Sequence, residues 1–307
     1  MGTGHAHEVR TGRSRPLGIA LALNLLIVGG QVVAGVRAHS LGLLADAGHN
    51  LVDVAAILLA LIAVRWSQRE PTTARSYGYH RATILAALAN AVLIVAVTGW
   101  LAVEGIRRLD HPPAVRGGLV AVVALVATLL NVVAVLVVRE RGGRDLNLRA
   151  VTLHLVGDVV ASLAVAGAGL AIWLGGPYGL DPAASLVVAG LIGAQAVRLV
   201  RDSADVLLES TPTGLDVEAM VDSLCTDPGV IGVHDLHVWS LSSDVRAMSA
   251  HVLVTGHPTL EQARAVGERL KERLAAEFAI GHATLELECE TCVFEPVTAH
   301  RSTAVHR

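Results

Sequence analysis

Charge is what this sequence has least of. Asp, Glu, Lys and Arg together make up 17% of its 307 residues, against 53% hydrophobic residues and a mean hydropathy of +0.56. A soluble globular chain carries roughly a quarter charged residues, so that class is excluded. The net charge of −3 offers no case for a nucleic-acid partner. Also missing is any His-Glu-x-x-His sequence, the usual pairing of zinc ligands with a general base, so an intramembrane zinc protease lacks its machinery. No clear small-residue cleavage site follows the first apolar stretch, which is too long for a signal-peptide core and is expected to persist as a helix.

The apolar residues gather before residue 200. They form six stretches, approximately Leu17–Val36, Leu41–Val64, Ala82–Val103, Gly117–Val138, Ala150–Leu174 and Pro182–Val200. Each is near the roughly 20 residues that a helix needs to cross a bilayer core, so a lipid bilayer is the expected surroundings. Arginines assign the sides. Arg10, Arg13 and Arg15 precede the first stretch, Arg65, Arg69, Arg75 and Arg81 surround the second connection, and Arg139, Arg141, Arg144 and Arg149 surround the fourth. The other side holds Arg37 and then Arg107, Arg108 and Arg116, a discordant group after the third stretch. The positive-inside rule places both termini in the cytoplasm. Gly29, Gly30, Gly35, Gly157, Gly167 and Gly169 fit close packing between membrane helices.

The second stretch is unusual because Asp46, His49 and Asp53 lie among Leu, Ala, Val and Ile. An ionisable side chain at the bilayer centre costs roughly 2.5–3.5 kcal/mol on insertion scales, so three in one span imply a function. His49 and Asp53 are four apart and share one helix face. The spacing recurs in the fifth stretch as His154 and Asp158. Two such helices, face to face, supply two imidazole nitrogens and two carboxylates, a tetrahedral set suited to Zn²⁺. Asp46, three residues before His49, falls on roughly the same side as a cavity-lining carboxylate or proton relay; Asn24 in the first stretch is a second candidate near the metal.

From Thr211 the character changes. Helices are expected over Asp216–Thr226 and Thr259–Phe278, and strands over Val230–Leu241, Val245–Thr255 and Ala283–Phe294. This αββαβ order suits a small open-faced α+β sandwich. The domain offers His234, His237, His251, His257, His282, Glu286, Glu288, Cys289 and Cys292 as metal ligands. Cys289-x-x-Cys292, in a cytoplasmic setting, reads as a soft-metal or redox pair that needs further ligands to close a site. Cys225 reads as a half-buried helix residue.

These motifs, DAGHNLVD, HLVGD, YGYHRATILAAL (Tyr77–Leu88) and VHDLHVWSLSS (Val233–Ser243), resemble the cation diffusion facilitator family, in its zinc-transporter-like branch. The resemblance runs from about residue 17 to residue 290. It implies a homodimer that exports divalent metal from the cytoplasm in exchange for protons, with His49, Asp53, His154 and Asp158 as transport site. It implies a ferredoxin-like, metallochaperone-like cytoplasmic domain, in which His234, His251 and His257 match positions that bind metal in some relatives. Glu286 and Glu288 fall where those relatives place a His and an acid, so Glu286 departs from the pattern. The cysteine pair resembles the terminal pair of some zinc carriers. A charge interlock near the membrane surface is carried over to Arg81 and to Asp205 or Glu209, with Glu209 preferred. Two features do not carry over: TTARSYGYHRA offers only His80 and no acid for an extra metal site, and Arg139–Asn147 has no histidine run.

The expected division is a cytoplasmic tail over 1–15, a six-helix transmembrane domain over 16–208, a cytoplasmic αββαβ domain over 209–296 and a tail over 297–307. The expected function is proton-coupled efflux of Zn²⁺, as transported substrate and as a ligand of the cytoplasmic domain, with Cd²⁺, Co²⁺, Ni²⁺ or Mn²⁺ as alternative cargo. The membrane is expected to be a bacterial inner membrane, since the loops are short and no organelle-directed leader is evident. A membrane-bound metal sensor is the rival reading, and it has no need of ligands at membrane depth. A passive channel is the other.

Overall fold

The computed structural model describes residues 14–141, 146–242 and 245–289. They form helices α1 (Ser14–Ala38), α2 (Leu41–Ser67), α3 (Ala82–Asp110), α4 (Gly117–Arg141), α5 (Leu146–Trp173), α6 (Leu180–Leu207), α7 (Val217–Cys225) and α8 (Leu260–Phe278), and strands β1 (Val230–Ser240), β2 (Arg246–Val254) and β3 (Ile280–Cys289). Among the described residues, five helices, α2 to α6, are long and apolar enough to cross a membrane; Leu25–Ala38 of α1 is a shorter apolar segment. Val122, Leu129, Val160 and Leu191 each stay more than half exposed. A water-soluble bundle would bury such residues; a bilayer solvates them, and the helices satisfy their backbone groups internally.

The chain forms two compact units, one from residues up to 59 with 89–199, the other from 60–88 with residues from 200 onward. In the first unit, Ala34, Leu43, Val120, Ala124, Val165 and Ala166 pack α1, α2, α4 and α5 together. Leu41, Ala45, Leu101 and Ala189 join the start of α2 to α3 and α6. The α4–α5 contact is backbone against backbone. A Cβ on Gly117 would lie 2.6 Å from the Gly169 carbonyl oxygen, and one on Gly169 would lie 2.7 Å from the Ala121 nitrogen. Six glycines were expected at helix contacts, and the structure divides them. Gly35 and Gly169 are crowded, whereas Gly29, Gly30, Gly157 and Gly167 have nothing within 4 Å of an added Cβ.

In the second unit the sheet order is β1-β2-β3, with β1 antiparallel and β3 parallel to β2. The parallel pairing requires a crossover, which α8 supplies. Asp216 caps α7 by accepting from the Ala219 N–H, and Thr259 and Gln262 form a reciprocal capping box that starts α8. Both helices pack on one sheet face, where Met220, Leu224, Met248, Val252, Leu270 and Leu274 are buried. Asp227 accepts two 2.9 Å hydrogen bonds from Arg269 and one of 2.9 Å from the Gly229 N–H, tying the start of β1 to α8. β3 begins at Ile280, three residues before the expected Ala283, because Ala279 ends α8 in the left-handed conformation and turns the chain directly into the strand. Cys225, expected half-buried, is exposed at the end of α7.

Candidate metal centres

α2 and α5 bring His49, Asp53 and Asp158 together, with one ligand atom of each within 4.8 Å of the others. His49 Nε2 lies 3.0 Å from Asp158 Oδ1 and 3.6 Å from Asp53 Oδ2. Asp158 is buried, and the His49 side chain is only 11% exposed. His154 lies on α5 one turn before Asp158, in a stretch whose side chains are outside the described residues. Asn24 on α1 lies in another such stretch. A narrow apolar cavity lined by Ala45, Gly48, Val52, Ile94, Val97 and Thr98 reaches His49 from the α3 side.

One turn before His49, Asp46 is fully buried and accepts hydrogen bonds from Gln31 Nε2 on α1 (2.6 Å) and Ser162 Oγ on α5 (2.9 Å). Asn50 Nδ2 in turn donates to Gln31 Oε1 at 3.1 Å. Asp46 therefore joins α1, α2 and α5 directly beneath the ligand cluster. The partners Asn50 and Ser162 were not read from the sequence. The signal for them was helical spacing, since Asn50 lies four after Asp46 and Ser162 four after Asp158.

A second cluster lies on the sheet face opposite α7 and α8. His234 on β1 pairs in register with His251 on β2, which pairs with Glu286 on β3. Glu288 joins them: His234 Nε2 is 3.0 Å from its Oε2 and His251 Nδ1 is 2.7 Å from its Oε1. These three residues form the second group able to hold a metal ion among those described. Burial opposes ionisation of Glu288, but the hydrogen bonds from His251 and His234 outweigh it and hold the carboxyl below its ordinary value. Glu286 stands further off, 3.6 Å from His251 Nε2. A register shift between His234 and His237, with Asp235 at φ 48°, swings Asp235 to 3.7 Å from His251 Nε2 and 3.2 Å from His237 Nε2. Asp235 was not anticipated, because a bulge leaves no mark in the alternation of side chains.

Other expected ligands stand apart. His257 lines an open groove with Gly229, Val254, Pro258 and Arg269. Cys289 is one residue past Glu288, so strand alternation directs it to the helix-covered face, and Cys292 lies outside the described residues. His282 meets Tyr77 of the 68–81 connection edge-on, with ring centroids 5.5 Å apart. Arg81 Nη2 sits 2.7 Å from Glu209 Oε1. Arg108, one of the discordant arginines, is engaged by Glu104 at 2.9 Å and by the His39 carbonyl at 3.1 Å, which gives it a structural partner on its own side.

Residues 17–208 match the cation efflux transmembrane domain, and residues 212–290 match the cytoplasmic domain of cation efflux proteins. The chain belongs to the cation diffusion facilitator family. This cation diffusion facilitator is similar to the zinc transporter ZitB of Escherichia coli, at 36% identity over 85% of this chain and 83% of the relative. It is 32% identical to the metal cation efflux system protein CzcD of Cupriavidus metallidurans, over 95% of this chain and 92% of the relative. It is 30% identical to the cadmium, cobalt and zinc/H(+)-K(+) antiporter of Bacillus velezensis, over 93% and 92%. As a member of this family it is a membrane protein that carries out divalent-metal efflux, and not an enzyme.

Proposed function

We propose that the cation is Zn²⁺, that His49, Asp53, His154 and Asp158 hold it in transit, and that protons move in the opposite direction. The observation that carries this reading is the 3.0 Å contact of His49 Nε2 with Asp158, beside Asp53 at 3.6 Å. A proton on Nε2 would be shared with the Asp158 oxygen that a metal needs. The site therefore accommodates a shared proton or a cation, and not both. Loading requires deprotonated ligands, and protonation favours release. Two carboxylates neutralise the ion inside the membrane, and mixed nitrogen and oxygen ligation favours Zn²⁺ over Mn²⁺. Alternating exposure of this one site to the two sides makes the exchange vectorial.

Around the site, Asp46 orients α2 against α1 and α5 and relays protons towards His49. The zinc, cadmium and cobalt named for the relatives support the cargo class, and the naming of one of them as an antiporter supports exchange. The protein works as a homodimer in a plasma membrane with both termini in the cytoplasm. The Arg81–Glu209 pair serves as the charge interlock between the membrane helices and the cytoplasmic domain. His234, His251 and Glu288, with Glu286 and Asp235 near, bind a further zinc in that domain.

The test is equilibrium zinc binding and cellular zinc tolerance with a His49→Ala, Asp158→Ala double variant. Loss of both tolerance and one class of bound zinc is expected. Tolerance equal to that of the parent protein would sink the assignment of the transport site.

A further inference from the structure

Asp181, the second residue of α6, has no part in the mechanism above, yet it is 1% exposed and held by several hydrogen bonds. Its carboxylate accepts from the Ser40 hydroxyl, from the Leu41 N–H at 2.7 Å, and from the Gly42 N–H at 3.4 Å. Those N–H groups are the opening donors of α2, which have no partner within their own helix. Ser40 completes the cap, since its Oγ accepts from the Leu43 N–H at 3.2 Å while donating to Asp181. A buried anion at a helix start is stabilised by those N–H groups and by the positive end of the helix dipole.

The approach is built into neighbouring residues. A Cβ on Gly42 would sit 3.1 Å from Asp181 Oδ1 and 3.1 Å from Val165 Cγ1, so glycine leaves room for the carboxylate. Ser185 Oγ holds the Asp181 carbonyl at 2.8 Å, fixing the first turn of α6. Beside the cap, Leu41, Ala45, Leu101 and Ala189 form an apolar joint of α2, α3 and α6. Gly105 continues the α3–α6 contact, with Leu186 carbons 2.9 Å from where its Cβ would stand. The first two turns of α2 are thus fastened to α6, and His49 and Asp53 lie on the turns that follow.

We infer that Asp181 is a positioning residue for transport: it pins the N-terminal end of α2 to α6, so that the ligand-bearing turns swing about a fixed end and do not slide along α6. This rests on the reading that α2 carries the cation. Asp181→Asn removes the charge and one acceptor oxygen, and turns an amide donor towards N–H groups that are themselves donors. Losing hydrogen bonds to a charged group lowers maximal flux by about tenfold or more, while half-saturating zinc and equilibrium binding change by less than about threefold, because the ligands are untouched.

The experiment measures zinc flux and zinc binding on the full chain for the wild type, Asp181→Asn and the Ser40→Cys, Asp181→Cys pair. The cysteine linkage is verified by mass spectrometry, and the wild type receives the same redox treatment. The expected result is loss of flux with retained binding in Asp181→Asn, and flux in the oxidised pair above that of the reduced pair, since a covalent bond there replaces the natural pin. Wild-type flux in Asp181→Asn, or an oxidised pair that transports only after reduction, would overturn the inference. Failure of the underlying site assignment reads out separately, as zinc binding unchanged by His49→Ala.

Discussion

Asp46 and Asp227 are both buried acids, and each supports a prediction of its own. Replacing Asp46 by Ala strips the acceptor from Gln31 and Ser162 and leaves two buried donors unsatisfied, at about 1–3 kcal/mol each. A thermal-unfolding midpoint several degrees below the parent, with zinc tolerance also reduced, is expected. At Asp227 the hydrogen bonds from Arg269 outweigh burial and hold the carboxyl below its ordinary 3.8. A depressed carboxyl adds stability that is fully present above about pH 3.8 and is lost as pH falls through the lower, folded value. Hydrogen exchange in peptides from β1 and α8 is therefore expected to accelerate below about pH 4, with a flatter acid limb in Asp227→Asn. For the second candidate metal centre, Glu288→Gln neutralises the carboxylate that both His234 and His251 contact. Zinc affinity of the cytoplasmic site is expected to fall by more than the roughly 10–100-fold typical of an outer hydrogen-bonding partner. Unaltered binding stoichiometry and affinity in a titration would count against that site.

At the scale of elements, the close α4–α5 contact separates two kinds of glycine. Gly169→Ala forces a methyl to within 2.7 Å of backbone and is expected to destabilise by about 1–3 kcal/mol, whereas Gly167→Ala, with open space around it, is expected to be neutral in the same unfolding assay. From the sequence the two were indistinguishable, since each is a glycine in an apolar run and only the neighbouring helix tells them apart. The elements themselves were legible for physical reasons. Apolar runs near 20 residues fit spanning helices, which satisfy their own backbone in lipid, and the cap residues Asp216 and Thr259 mark helix starts by the chemistry of their side chains. The His-x-x-x-Asp spacing likewise set His49 and Asp53 on one face of α2 and marked Asp158 on α5 as their counterpart, because helical periodicity converts spacing into a shared face. What stayed hidden depends on inter-element geometry: Asp235 swung in by a bulge, Asp181 reaching α2 from 140 positions further along the chain, and Cys289 turned to the other face of its strand.

For the whole molecule, the 68–81 connection and the residues after α6 belong to the same compact unit as the cytoplasmic sheet, through Arg81–Glu209 and Tyr77–His282. The ion pair is exposed, so by itself it contributes at most about 1 kcal/mol. If it acts as an interlock, Arg81→Glu lowers transport far more than it lowers stability, and adding Glu209→Arg restores transport. The proposed exchange of Zn²⁺ against protons at one intramembrane site is tested most directly by uptake into proteoliposomes that hold the purified full chain under an imposed pH gradient. Zn²⁺ flux that rises and reverses with the gradient, and is lost in Asp53→Ala, is the expected result. Flux that ignores the gradient, or persists in Asp53→Ala, would contradict the account.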